Sequence, residues 1–166
     1  MRTSDPRRIL IISMTVSLGW AIYIGFVLVN SKRLPLEVSA AYGEVAPHAS
    51  TWFFGYLTSG LETTTFGRYK TRAQDTVDAR SRIGCWVDWN LAADYPWWAD
   101  IRIKGYAVVA GRIKQESVPT FGHLGQFKRN FMVTRCVIPP LPVTVVYWLV
   151  SVMICNAIGL LLRFRK

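Results

Sequence analysis

Two stretches without any Asp, Glu, Lys, Arg or His, Ile9 to Asn30 and Pro142 to Leu162, bracket this chain of 166 residues. As helices rising about 1.5 Å per residue, each would be roughly 30 Å long, the thickness of the hydrocarbon core of a bilayer. The sequence therefore reads as a membrane protein in which two transmembrane helices, N- and C-terminal, flank a small α+β extramembrane domain with an antiparallel sheet. The expected organisation is a tail at 1–8, a first transmembrane helix at 9–30, a domain at 31–141, a second transmembrane helix at 142–162 and a tail at 163–166.

The formal charge of +10 is distributed in a way that bears on orientation. Arg2, Arg7 and Arg8 precede the first span, and Arg163, Arg165 and Lys166 follow the second. Basic residues on short termini set orientation more strongly than those on long loops, so both tails are expected in the cytoplasm of an inner or plasma membrane. The central domain would then be periplasmic or extracellular. That domain holds 14 basic and 9 acidic residues, a net +5, spread without any block. Such an excess suits a surface near anionic headgroups; no nucleic acid is expected as a partner, because no basic cluster stands out. Val38-Ser39-Ala40 resembles a signal-peptide cleavage site, yet the apolar run is too long and lies too far upstream for one. Arg7-Arg8 opens a twin-arginine reading, which the strongly hydrophobic Ile9-Leu10-Ile11-Ile12 opposes.

Small residues recur every fourth position in the first span, at Ser13, Ser17, Ala21 and Gly25, and again in the second at Ser151, Cys155 and Gly159. Four residues are slightly more than one helical turn, so each set forms one drifting stripe. Small side chains let helix backbones approach closely where lipid supplies no hydrophobic drive. Asn156 beside the second stripe needs a polar partner, on another helix or on its own backbone. Trp20 and Tyr23 read as too deep for a headgroup belt, whereas Tyr147 and Trp148 stand near the start of the second span.

Pro139-Pro140-Leu141-Pro142 marks a stiff joint into the second helix, and Asn30 to Pro35 a polar break after the first. Between them, Leu36 to Leu61 reads as short helices or loops. Its Trp52-Phe53-Phe54-Gly55-Tyr56 cluster suits either a buried core or a surface lying on the membrane. Thr71 to Arg82 carries a helical pattern. From Ile83 the period becomes two, with Ile83, Cys85, Val87 and Trp89 on one face, then Ile101 and Ile103, Arg112-Ile113-Lys114, and Phe131 to Ile138. Gly105 and Gly111 suggest bulges or turns.

Chemistry-bearing patterns are few. His48 and His123 lack partners at metal-ligand spacing, Ser59 and Ser81 have no nucleophile motif, and Gly122-His123-Leu124-Gly125 lacks the form of a phosphate loop. Neither catalysis, metal nor cofactor is expected. Cys85 and Cys136 can pair if the domain is exported, and are buried thiols if it is cytosolic. Trp86, Trp89, Tyr95, Trp97 and Trp98 crowd together. They either fill the core or, in Tyr95, Trp97 and Trp98, present a contact loop. These features favour a non-catalytic accessory, assembly or scaffold subunit of a larger membrane complex. Its partners would be other membrane-protein subunits and the lipid bilayer. The alternatives are a membrane-disrupting or exclusion protein of phage or plasmid type, and an exported membrane-anchored enzyme.

Overall fold

The computed structural model describes residues 6–34, 51–60, 64–68, 70, 84–89, 95–115, 118, 120, 122 and 127–164. The elements run α1 (Pro6–Asn30), β1 (Lys32–Arg33), β2 (Thr51–Thr58), β3 (Thr65–Gly67), β4 (Gly84–Trp89), β5 (Lys104–Gln115), β6 (Arg129–Ile138) and α2 (Leu141–Phe164). Two long apolar helices thus flank a sheet-containing domain.

Each helix starts and stops for local reasons. Pro6 opens α1, a position where a missing N–H has no partner to lose. At the other end the Asn30 amide turns back to the Phe26 carbonyl at 2.7 Å, and Ser31 Oγ donates to the Leu28 carbonyl at 2.9 Å. The second bond, with Ser31 N donating to the same carbonyl at 3.3 Å, takes up a carbonyl that the ending helix leaves open. The proline joint begins α2 at Leu141, one residue before the charge-free stretch. There the Pro140 carbonyl accepts from Val143 N (2.9 Å) and Thr144 N (3.0 Å), while Thr144 Oγ1 donates to the Pro139 carbonyl at 2.8 Å.

The strands close into a barrel. β2 pairs antiparallel with β3 and β5, β3 antiparallel with β4, β4 parallel with β6, and β6 antiparallel with β5. The ring β2-β3-β4-β6-β5-β2 has the order and strand directions of the five-stranded Greek-key barrel of OB type. β1 adds a parallel strand beside Phe53 and Phe54, on the half of β2 that the short β3 does not reach. The expected plain antiparallel sheet is thereby corrected: two of its pairings are parallel, and it closes on itself.

The long β5 explains the closure. Its first eight residues pair with β2 and its last eight with β6. Register shifts at Val108/Val109 and Ala110/Gly111 leave Val137 and Thr134 as extra residues on β6, so it is β6 that bulges against β5. At the second shift a Cβ on Gly111 would collide with the Met132 carbonyl and the Phe131 ring, so only glycine fits. Gly105, the other expected irregularity, pairs regularly with Leu57.

The segment around Trp52 is also a correction, being strand β2 rather than helix or loop. Phe53, Gly55 and Leu57 point into the barrel and Trp52, Phe54 and Tyr56 point out. Aromatic residues on both faces hide the alternation that marks a strand. Similarly, Ile101 is exposed in a bend and β5 starts only at Lys104. The helical pattern at Thr71 to Arg82 lies outside the described residues, and among those described no helix falls between α1 and α2.

Phe53, Phe66 and Phe131 meet at the centre of the barrel, with ring centroids 5.2–5.6 Å apart. Trp98 packs edge-on against Trp89 at 5.6 Å, and with Leu34 and Val143 it completes the same buried cluster. The first turn of α2 is therefore part of the barrel's core. A second cluster forms on the outer wall, where Val27 of α1 packs with Val108, Ala110, Val137 and Ile138.

Candidate functional site at the junction of helices and barrel

The two helices form an antiparallel hairpin held partly by polar bonds. Trp148 Nε1 donates to Ser17 Oγ at 3.1 Å, and Ser17 in turn donates to the Ser13 carbonyl at 2.7 Å. One turn further along, Asn156 Nδ2 donates both to Ser13 Oγ (3.3 Å) and to its own-helix Val152 carbonyl (2.9 Å). Its Oδ1 is buried without a hydrogen-bond partner. Beyond it, a Cβ on Gly159 would stand 3.0 Å from Ile12 Cδ1.

Of the small-residue positions, Ser151, Cys155, Asn156 and Gly159 are half-buried, as are Ser13 and Ser17. Ala21 and Gly25 are exposed, and a Cβ on Gly25 would meet nothing within 4 Å. The drift of the stripe accounts for the split. Each four-residue step adds about 40° beyond a full turn, so one step past Ser17, at Ala21, the stripe has already left the contact. The half-buried face of α1 passes instead to Trp20, Ile24 and then the buried Val27, following the true helical period.

Where α1 leaves its partner helix it docks on the barrel. Tyr23 Oη donates to the Val137 carbonyl at 3.0 Å, and Phe26 meets Trp52 edge-on at 6.4 Å. Val27 has no exposed surface at all. A residue count along the span cannot reveal that strand β6 reaches down to Tyr23 and supplies its phenol with a polar partner.

The aromatic loop divides between core and surface. Trp98 is 1% exposed, whereas Trp97 is 58% exposed and donates through Nε1 to Tyr147 Oη at 3.0 Å. Tyr95 is exposed and donates to Asp100 Oδ1, a bond that raises its pKa above the ordinary value, with small contributions from partial burial and the Asp100 charge. Trp97 thus ties the loop to the first turns of α2.

Cys85 and Cys136 are free thiols. The β4–β6 register places Trp86 opposite Asn130, so its continuation sets Cys85 level with Arg129, seven residues along β6 from Cys136. At about 3.3 Å per residue that is roughly 23 Å, and no bond joins them in this fold. Burial pushes both thiols up to about 12, in Cys85 against a lowering by Arg129. His48 and His123 lie outside the described residues.

A groove of about 480 Å³ lies where both helices leave the barrel. Its walls are Ile24 and Leu28 of α1, Phe54 of β2, Tyr106 and Val108 of β5, and Leu141, Pro142 and Thr144 of α2. They are almost wholly apolar, and exposed Lys104 stands on the same wall. Phe54 and Tyr106 stack at 5.3 Å with 8° between their planes, and Tyr56 meets Tyr106 edge-on at 5.2 Å. Sequence reasoning singled out Phe54 and Tyr56 only as part of a cluster suited to a core or a membrane surface, and missed Tyr106, Val108 and the helix walls. The available signal was the outward set Trp52, Phe54 and Tyr56: a strand apolar on both faces must cover its outer face with something other than water.

Set beside known protein families, known proteins and solved structures, the chain matches none.

Proposed function

We propose that this protein is a non-catalytic assembly or scaffold subunit of an integral-membrane complex. In this reading α1 and α2 span the membrane, both tails are cytoplasmic, and the barrel is held against the opposite surface for other subunits to bind. The observation that carries the reading is the fusion of both helices with the barrel. Val27 is wholly buried against the outer wall, Val143 belongs to the interior cluster, and Trp97 is bonded to Tyr147. A domain on flexible tethers can sample many orientations, whereas a domain sharing its core with its anchors presents one fixed face. Scaffolding needs that fixed posture.

The same geometry supports a division of labour between the small-residue faces. Ser13, Ser17, Ser151, Cys155, Asn156 and Gly159 serve the hairpin itself, which leaves Ala21 and Gly25, with exposed Trp97, as surfaces for partner subunits. The test is recovery of partner subunits with the tagged full chain from mild detergent, at equal membrane abundance. Ala21→Leu with Gly25→Leu should lower that recovery while Ile22→Leu leaves it intact. Equal recovery from all variants removes the helix face from the proposal, and a chain that purifies alone from native membranes removes the scaffold reading.

A further inference from the structure

We propose that the groove between the helices and the outer wall of β5 is a lipid site. It takes one acyl chain of an anionic phospholipid, with Lys104 on the headgroup phosphate. This inference rests on the membrane reading above.

Depth is the first argument. About 20 helical residues cover the roughly 30 Å of hydrocarbon. Counted from Ile9, the first residue after Arg7-Arg8, such a span ends at Leu28; counted back from Leu162, it ends at Val143. Leu28 is a wall of the groove, and Val143 lies between its wall residues Pro142 and Thr144. The groove thus sits on the last turn of both spans, where acyl chains give way to headgroups. It is continuous with the apolar outer surface of the helices.

Shape and chemistry make the second argument. The volume of about 480 Å³ lies in the range of clefts that hold one small apolar ligand, and a slender acyl chain can run along the floor. Ile24, Leu28, Val108 and Leu141 offer it aliphatic walls, and the stacked Phe54 and Tyr106 a flat side. Lys104 can lay its methylene stem on such a wall with the ammonium outside. The net +5 of residues 31–141 adds Coulombic attraction to an anionic headgroup on whichever side of the membrane the barrel lies.

The test uses the purified full chain in phosphatidylcholine nanodiscs doped with phosphatidylglycerol carrying a photoreactive acyl chain. Peptide mapping after irradiation should find label on Tyr106 to Val108 and on Leu141 to Thr144, as well as on outward helix residues such as Ile158 and Leu161. Leu28→Trp, which fills the groove from an exposed position, should remove the groove label and keep the label on Ile158 and Leu161. Lys104→Gln should reduce groove labelling by phosphatidylglycerol about fivefold relative to the same photoreactive chain on phosphatidylcholine, equivalent to ~1 kcal/mol for one basic residue at an anionic surface. Unlabelled groove walls beside labelled Ile158 and Leu161 would overturn the lipid site and leave the membrane reading standing. Absence of label on Ile158 and Leu161 as well would overturn both. Groove label indifferent to both variants would mean ordinary surrounding lipid and no site. In native membranes, a photo-crosslinker at Leu141 that captures a protein in place of lipid would overturn the proposal in favour of a partner helix.

Discussion

The phenol of Tyr23 in α1 donates to the carbonyl of Val137 in β6 across 3.0 Å, joining the first helix to the last strand. Four residues on, Val27 completes the joint by losing all contact with solvent. Together they make the first helix a structural part of the barrel's wall.

That joint should be measurable as stability. Val27→Ala is expected to destabilise the purified protein by about 2 kcal/mol, the scale for deleting buried methyl groups and leaving a cavity. Tyr23→Phe should cost about 1 kcal/mol for one hydrogen bond. Val29→Ala, at a position 85% exposed, should change little. Denaturant unfolding in detergent, followed by tryptophan fluorescence, checks the series. Equal effects at positions 27 and 29 would mean that α1 does not pack against the barrel's outer wall.

The hairpin predicts an asymmetry between two glycines. Gly159→Leu should push α2 away from Ile12, whereas Gly25→Leu should leave the helix pair intact. Ser17→Ala removes the acceptor of Trp148 Nε1, at a cost of about 0.6–2 kcal/mol for a bond between helices in lipid. Distances between spin labels at Leu10 and Leu161 report the outcome. A longer distance in the Gly25 variant, with none in the Gly159 variant, would contradict the hairpin.

The cysteines lead to a prediction opposite to a disulfide. Non-reducing electrophoresis should show one mobility with or without reductant, and alkylation should reach buried Cys85 only after denaturation and half-buried Cys136 more slowly in the fold than in the unfolded chain. Their pKa is about 12 in the fold against 9.0 for an ordinary thiol. Below pH 9 both folded and unfolded chains hold these protons, and the thiols add no pH dependence. As pH rises from 9 towards 12 the unfolded chain releases protons that the fold retains, so stability falls. Replacing Cys85 and Cys136 with Ala should flatten that alkaline slope in unfolding experiments. An unchanged slope would show that the thiols are not shielded as described.

Neighbouring tryptophans should behave unequally. Trp98→Ala is expected to cost about 3–5 kcal/mol, because it empties the buried end of the barrel. Trp97→Phe loses only its bond to Tyr147, about 1 kcal/mol. Thermal unfolding of the two variants separates them, and similar losses would contradict the division of the loop between core and surface.

The sequence by itself determined the outer frame of this protein. A helix forms all its backbone bonds locally, so charge-free runs with polar breaks are enough to locate α1 and α2 to within a few residues. The alternation at Cys85, Val87 and Trp89, and again through β6, is equally local, because side chains in a strand must alternate. Pairing was not legible. That β4 joins β6 in parallel, and that β5 serves β2 and β6 at once while β6 bulges against it, depends on contacts between distant residues that no window of sequence contains. The same limit hid the fate of the small-residue stripe. Spacing alone made Ser13, Ser17, Ala21 and Gly25 equivalent. Tertiary structure separated them, because the 3.6-residue period carries Ala21 and Gly25 out of the contact and replaces them with Val27 at the barrel wall. The groove beside Lys104 belongs wholly to tertiary structure, since its walls come from five elements that meet only when the barrel closes and docks on the ends of the helices.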